Sequence, residues 1–365
     1  MKKKFILLTI SIYLFISTFA FVADGAEKLP GYGADLSQTS VSGLSSGAFM
    51  STQLHVAYSD IFIGAGIIAG GPYYCASSFN ATTFSERMLM ATQTCMTPFI
   101  ASQGPDGKKL FEKAEGFARE QKIADIGNLK DDKVYIFSGS NDQVVRTIVV
   151  DQVEAFYKAA GIPAENIQYI KTVNSGHAII TEDNGNECSA NEEPFISDCD
   201  FDQAHRILTH IYGELNDPDS LAWLPLFKSK AAKSGKIIEF DQTEFIEGDR
   251  SSMSESAYAY IPKSCETKSC KVHVAMHGCL QGYKEIKDDY YTETNYNDIA
   301  DINDIIVLYP QAEVSKTVPL NPLGCWDFWG YSSTDQSNPD FYTREAPQMK
   351  AIVKMVKRLA EPRSQ

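Results

Sequence analysis

Positive charge is scarce in this sequence. Its 365 residues include 33 Lys and Arg against 47 Asp and Glu, a formal net charge of −14. A protein without clustered cations cannot displace counterions from a phosphate backbone, so no nucleic-acid partner is expected. Zinc patterns are missing too: the eight cysteines form no C-x-x-C pair and have no His pair beside them. No zinc site is therefore expected, and the serine chemistry read below needs neither a metal nor a cofactor. No repeat or low-complexity tract occurs. With 44% hydrophobic and 22% charged residues, the chain can build a large core, which excludes wholesale disorder.

One long apolar run needs explaining. Lys2, Lys3 and Lys4 precede the stretch Phe5 to Val22, and Ala23, Gly25 and Ala26 follow it. That order of charged, apolar and small residues reads as a secretory signal peptide over 1–25. A membrane anchor is the competing reading, because the run is long for a signal and short for a full span. On the preferred reading residues 26–365 are one secreted catalytic domain, extracellular or periplasmic, with no stable membrane insertion. It is expected to be a monomer. No cysteine lies near the cut, which argues against lipoprotein processing. The cysteines Cys75, Cys95, Cys188, Cys199, Cys265, Cys270, Cys279 and Cys325 form an even set, as disulfides outside the cytoplasm require. Roughly a hundred pairings are open, and joining sequential neighbours is the simplest.

Short apolar runs alternate with amphipathic stretches. Strands are expected over 40–42, 61–69, 133–138, 167–173, 257–261, 272–276 and 305–309, and helices over 47–58, 111–121, 148–160, 203–215, 294–302 and 347–359. The last helix carries Met349, Ile352, Val353, Val356 and Leu359 on one stripe. Such alternation favours an α/β sheet covered by helices. Residues 216–254 are polar, apart from an apolar patch over 221–227, and lack either period. They read as a long excursion within one domain.

The sharpest local signal is Gly43-Leu44-Ser45-Ser46-Gly47, between a β-prone run and a helix. That is the context of a nucleophile elbow, whose glycines allow backbone to approach backbone while the serine projects above the sheet. The helix dipole behind it favours a developing oxyanion. A serine needs a base. Of six histidines, His55, His205 and His210 fall within helices, His273 within a strand and His277 in a Gly-flanked turn. His177 lies in the loop Asn174-Ser175-Gly176-His177 after a strand, where a sheet protein places its base. Asp142, in a turn after the strand over 133–138, is the expected orienting acid; it could equally cap the following helix. Ser46 N–H and Cys279 N–H, the latter following a strand that runs into His277-Gly278, are the expected oxyanion donors.

In most α/β hydrolases the His-Gly loop precedes the nucleophile. Here it comes long after Ser45, which points to a circularly permuted α/β-hydrolase fold, with the helix over 347–359 leading in space toward the strand before Ser45. The segments Val41-Ser42-Gly43-Leu44-Ser45-Ser46-Gly47, Val56-Ala57-Tyr58-Ser59-Asp60, Ala69-Gly70-Gly71-Pro72-Tyr73, Ser138-Gly139-Ser140-Asn141-Asp142, His273-Val274-Ala275-Met276-His277-Gly278-Cys279-Leu280-Gln281, Leu308-Tyr309-Pro310-Gln311-Ala312 and Cys325-Trp326-Asp327 resemble those of single-domain extracellular poly(3-hydroxybutyrate) depolymerases of the circularly permuted fungal type.

The resemblance implies Ser45, Asp142 and His177 as a triad, Ser46 and Cys279 as oxyanion donors, and disulfides 75–95, 188–199, 265–270 and 279–325. It also implies an acyl-enzyme route acting on a hydrophobic polyester or oligoester. Leu44, Trp326, Phe328, Trp329 and Tyr331 are the expected substrate contacts. The sequence departs from the family around these aromatics and in a charged insertion near 105–133. Multidomain depolymerases carry a separate polymer-binding module, and none is expected here. Two other functions compete: a carboxylesterase for small, aryl or polysaccharide-linked esters, and a non-catalytic binding protein on a hydrolase scaffold.

Overall fold

The computed structural model describes residues 26–217 and 233–363. The leader read over 1–25 and the apolar patch over 221–227 lie outside the described residues. In chain order the strands are β1 (Thr39–Leu44), β2 (Phe62–Ile68), β3 (Lys133–Phe137), β4 (Ile167–Ile170), β5 (Ile179–Thr181), β6 (Asn186–Glu187), β7 (Ile196–Asp198), β8 (Lys236–Asp241), β9 (Ser256–Ile261), β10 (Lys271–Met276) and β11 (Ile305–Tyr309). The helices are α1 (Ser46–Ala57), α2 (Phe84–Leu89), α3 (Gly107–Arg119), α4 (Thr147–Ala159), α5 (Gln203–Tyr212), α6 (Tyr283–Ile286), α7 (Asp289–Thr292), α8 (Tyr296–Ile302) and α9 (Pro347–Ala360).

The main sheet has eight strands in the order β4-β3-β2-β1-β10-β11-β9-β8. Six run parallel, and β9 and β8 add an antiparallel edge. The inner parallel strands are buried along almost their whole length, which is why their sequences read as unbroken apolar runs rather than alternating ones. Helix α1 packs on β1, β2 and β10, α4 on β3 and β4, α5 on β2 and β3, and α8 on β11. This is an α/β-hydrolase-like fold.

Strand β1 lies between β2, its immediate successor, and β10, which arrives much later in the chain. Just before β1, Tyr32 N and Ala34 N donate to Leu359 O, and Gly33 N donates to Glu361 O. The end of α9 thus abuts the segment that feeds β1, the join a permuted hydrolase requires.

Three features differ from the sequence expectation. Helix α1, read as amphipathic, is buried on every side from Ser46 to Ala57, so it has no face exposed to solvent. Strand β8 lies within the polar excursion. As an edge strand with Lys236, Ile237 and Glu239 exposed, it needs no apolar alternation to pair with β9. Strands β5, β7 and β6 form a small separate sheet after β4. The charged insertion contains α3, which docks Leu110 and Ala114 inward against α4. Disulfides join Cys75 to Cys95, Cys188 to Cys199, Cys265 to Cys270 and Cys279 to Cys325.

Candidate active site

Ser45 sits at the break between β1 and α1 with φ 57° and ψ −122°. Backbone held there costs about 1–3 kcal/mol and persists only when its surroundings over-determine it. Here Ser45 N donates to Ile68 O at 3.0 Å, and Ser45 O accepts from Phe49 N at 3.0 Å. The flanking glycines are required by contact. A methyl group at Gly43 would stand 2.5 Å from the Gly47 carbonyl carbon, and one at Gly47 would stand 2.3 Å from Met276 O. The end of β10 presses directly on the elbow.

Asp142 and His177 meet. His177 Nδ1 and Asp142 Oδ2 are 2.9 Å apart, with the Asp142 side chain fully buried. The other oxygen, Oδ1, accepts from Val144 N at 2.8 Å and Val145 N at 2.9 Å. One carboxylate therefore holds the imidazole and caps its own turn ahead of α4; the two readings of Asp142 are compatible. The two loops are in close contact: Ser140 N donates to Val173 O, Asn141 N donates to Ser175 O, and a methyl at Gly139 would stand 2.4 Å from Ser175 O.

The His-Gly loop after β10 closes over the elbow. A methyl at Gly278 would stand 3.3 Å from Ser45 Cβ. Gly278 N donates to Gln281 Oε1 at 2.7 Å, and Leu280 N donates to Leu323 O at 2.8 Å. Both neighbours of Cys279 thus have their N–H groups committed within this loop system. Gln281 Nε2 reaches across to Pro194 O and Phe195 O, and the Phe195 ring stands edge-on to His177 with centroids 6.1 Å apart. Through these contacts Ser45, the His-Gly loop and His177 share one end of the sheet. Ser46, the first residue of α1, offers an N–H with no acceptor inside the helix.

Four of the remaining histidines have other partners. His55 bonds Tyr157 Oη and Asp132 Oδ2, and His210 bonds Asn166 O. His205 lies in α5. His273 is fully buried between Ser40 Oγ and Ser42 Oγ, each at 2.7 Å. His277 donates from Nδ1 to Gly278 O and accepts at Nε2 from Ala312 N, so it is held as the neutral Nδ1–H tautomer. Burial lowers His273 from 6.5 to about 3 and His277 from 6.5 to about 4. Both lie below the unfolded value, so between about pH 6.5 and about pH 4 the unfolded chain binds more protons. Stability should fall as pH falls through that window, each group contributing at most about 1.4 kcal/mol per pH unit. Urea midpoints at about pH 7 and about pH 5 measure this, and His273→Gln should flatten the decline.

The aromatic segment is organised by Asp327. Its carboxylate accepts from the N–H groups of Trp329, Gly330, Tyr331 and Ser332 and from Ser332 Oγ. Burial pushes this carboxyl up, against the downward pull of those donors. Trp326 N donates to Ser46 Oγ at 3.2 Å, and Phe328 stacks on Phe49 with centroids 4.1 Å apart. Of the expected contact residues, Leu44, Trp326, Phe328 and Tyr331 are buried, and Tyr331 Oη donates to Cys325 O. Trp329 alone among them is partly exposed.

No family model matches the chain. It is 40% identical to the poly(3-hydroxybutyrate) depolymerase of Delftia acidovorans over 339 residues, covering 92% of this chain and 62% of that protein. It is 34% identical to the polyhydroxybutyrate depolymerase of Talaromyces funiculosus over 350 residues, covering 92% of this chain and 93% of that protein. The crystal structure of PHB depolymerase from Penicillium funiculosum superposes with a TM-score of 0.76 at 32% identity, covering 91% of this chain and 98% of that one. The chain belongs to the poly(3-hydroxybutyrate) depolymerase family. A serine-to-alanine variant of a PHB depolymerase, complexed with R3HB trimer, superposes with the same TM-score. The depolymerase family thus accounts for the fold at nearly full length on the fungal side, whereas this chain spans under two thirds of the Delftia relative.

Three residues of the site were not anticipated: Asn191, whose Oδ1 accepts from His177 N at 2.9 Å, Gln281 and Asp327. Gln281 and Asp327 lie inside the quoted motifs and were readable there as unexplained polar residues. Asn191, in the Cys188–Cys199 loop, has no local sequence signal.

Proposed function

We propose that this protein is an exported serine esterase that hydrolyses poly(3-hydroxybutyrate) or its oligomers through an acyl-enzyme. The observation that carries the reading is the 2.9 Å pair of His177 Nδ1 and Asp142 Oδ2, assembled at the sheet end that bears the strained Ser45 elbow. The family of the relatives supplies the substrate class, and four disulfides fit an oxidising compartment.

Ser45 Oγ attacks the ester carbonyl carbon while its proton passes to His177 Nε2. Asp142 holds Nδ1–H and stabilises the imidazolium. The carbonyl oxygen, now negative, accepts from Ser46 N–H and Cys279 N–H. Collapse breaks the ester C–O bond, and the departing alkoxide takes the proton from His177 Nε2 and leaves as a hydroxyl end. Water then attacks the acyl carbon and gives its proton to His177. The second collapse returns that proton to Ser45 Oγ and frees the 3-hydroxyacid. The Cys279–Cys325 disulfide ties the proposed oxyanion loop to the aromatic segment, and the partial exposure of Trp329 supports it as the contact of that segment for a polyester unit.

Incubating the purified protein with poly(3-hydroxybutyrate) film tests the reading. Clearing of the film with release of soluble 3-hydroxybutyrate products is expected. Turnover of soluble p-nitrophenyl esters with no release from film would favour the small-ester reading. Failure of an organophosphate to label Ser45 would favour a binding protein.

A further inference from the structure

After β6 the Cys188–Cys199 disulfide closes a loop that ends with β7, and this loop lies directly on the turn carrying His177. Gly176 N donates to Cys188 O at 2.9 Å, and a methyl at Gly176 would collide with Ala190 O. From this loop Asn191 extends one side chain that makes four hydrogen bonds. Its Oδ1 accepts from His177 N at 2.9 Å and from Gln143 N at 3.1 Å. Its Nδ2 donates to Asn141 O at 3.1 Å and to Ser189 O at 3.2 Å. The amide orientation is unambiguous, because both acceptor sites face N–H donors and both donors face carbonyls.

The partners of these bonds flank the acid and include the base. Residues 141 and 143 sit on either side of Asp142, and the fourth bond returns to the loop's own Ser189. No other side chain type of this length supplies two donors and two acceptors at one point. Asn141 adds a parallel link, donating from Nδ2 to Ser189 O at 2.8 Å.

We infer that Asn191 is a positioning residue that holds the Asp142 turn and the His177 turn in one geometry, the Cys188–Cys199 loop serving as its mount. The inference rests on the assignment of Asp142 and His177 proposed above. Because Asn191 bonds backbone beside the acid and at the base, and neither carboxylate nor imidazole itself, its loss shifts their alignment without removing a reacting group. None of its four bonds reaches the aromatic segment, so the proposed substrate contacts there are left in place. A displacement of about 1 Å in such a pair costs up to about a hundredfold in rate.

The test compares Asn191→Ala with wild type on a soluble p-nitrophenyl ester, with His177→Ala in parallel. For Asn191→Ala a kcat loss of about tenfold to a hundredfold with KM within about twofold is expected. Organophosphate labelling should slow by the same factor yet reach full stoichiometry, which a partly unfolded sample would not do. A wild-type kcat per labelled site, or a loss that matches only the unlabelled fraction, overturns the inference. If Asn191→Ala does not fold, Asn191→Asp, which keeps the two acceptor bonds and loses the two donor bonds, is measured in the same way. A kcat loss of about threefold to tenfold is then expected, and a wild-type kcat overturns the inference. Near-normal activity in His177→Ala would instead sink the underlying assignment, so the two failures are told apart.

Discussion

Ser45→Ala should fold as the wild type does and lose activity by about 10⁵-fold or more in kcat. Alanine keeps the Cβ, so the elbow retains its positive φ, its bonds to Ile68 O and Phe49 N and its contact with the His-Gly loop. Only the nucleophilic oxygen goes. On the proposed mechanism, the residual rate is what water achieves with ester binding and the two proposed N–H donors left in place. Ser45→Gly provides an internal control. Glycine tolerates φ 57°, so it should be equally inactive yet more stable than Ser45→Ala by about 1 kcal/mol. Thermal melts and turnover of a p-nitrophenyl ester measure both. Stability equal in the two variants would mean that the elbow stores no strain. Activity within tenfold of wild type in either would remove Ser45 from the mechanism.

What the sequence disclosed about this site follows from how local each constraint is. The elbow was legible because its steric demand falls on Gly43 and Gly47, within two residues of the serine on either side. The reason for that demand was legible only in part: a methyl at Gly43 would first meet Gly47 close by, but the other colliding atoms belong to Met276 and His277, distant in the chain. Asp142 and His177 were legible as polar residues in loops that follow apolar strands. The histidines that compete with His177 were separated from it by context alone, and the structure supplies the physical grounds: both nitrogens of His55, His273 and His277 are taken by fixed partners. Strand β8 was hidden because an edge strand that faces solvent carries no apolar period. The aromatic segment was ambiguous for a related reason. Large rings near a site read equally as contact surface or as core, and Trp326, Phe328 and Tyr331 prove to be buried against Ser46, Phe49 and Cys325.

Asp142→Asn should lower kcat by about 10⁴-fold while leaving the fold and KM nearly unchanged. In wild type the carboxylate accepts from His177 Nδ1–H, which leaves Nε2 as the lone pair that can receive the Ser45 proton. An amide whose oxygen still accepts from Val144 N and Val145 N must present its NH₂ to Nδ1. Nδ1 then becomes the acceptor, the ring proton moves to Nε2, and the base of the proposed mechanism has no lone pair left to take the Ser45 proton. The turn before α4 survives because its two backbone bonds survive. Asp142→Ala differs in a diagnostic way: it should be about as inactive but also less stable by about 1 kcal/mol, since the capping bonds go as well. If Asp142 were only a cap, the order would reverse, with Asn close to wild type in rate and Ala impaired through stability alone. Steady-state rates and urea midpoints on the two variants decide between these patterns, and the asparagine variant carries the decision because it separates the two oxygens of one carboxylate.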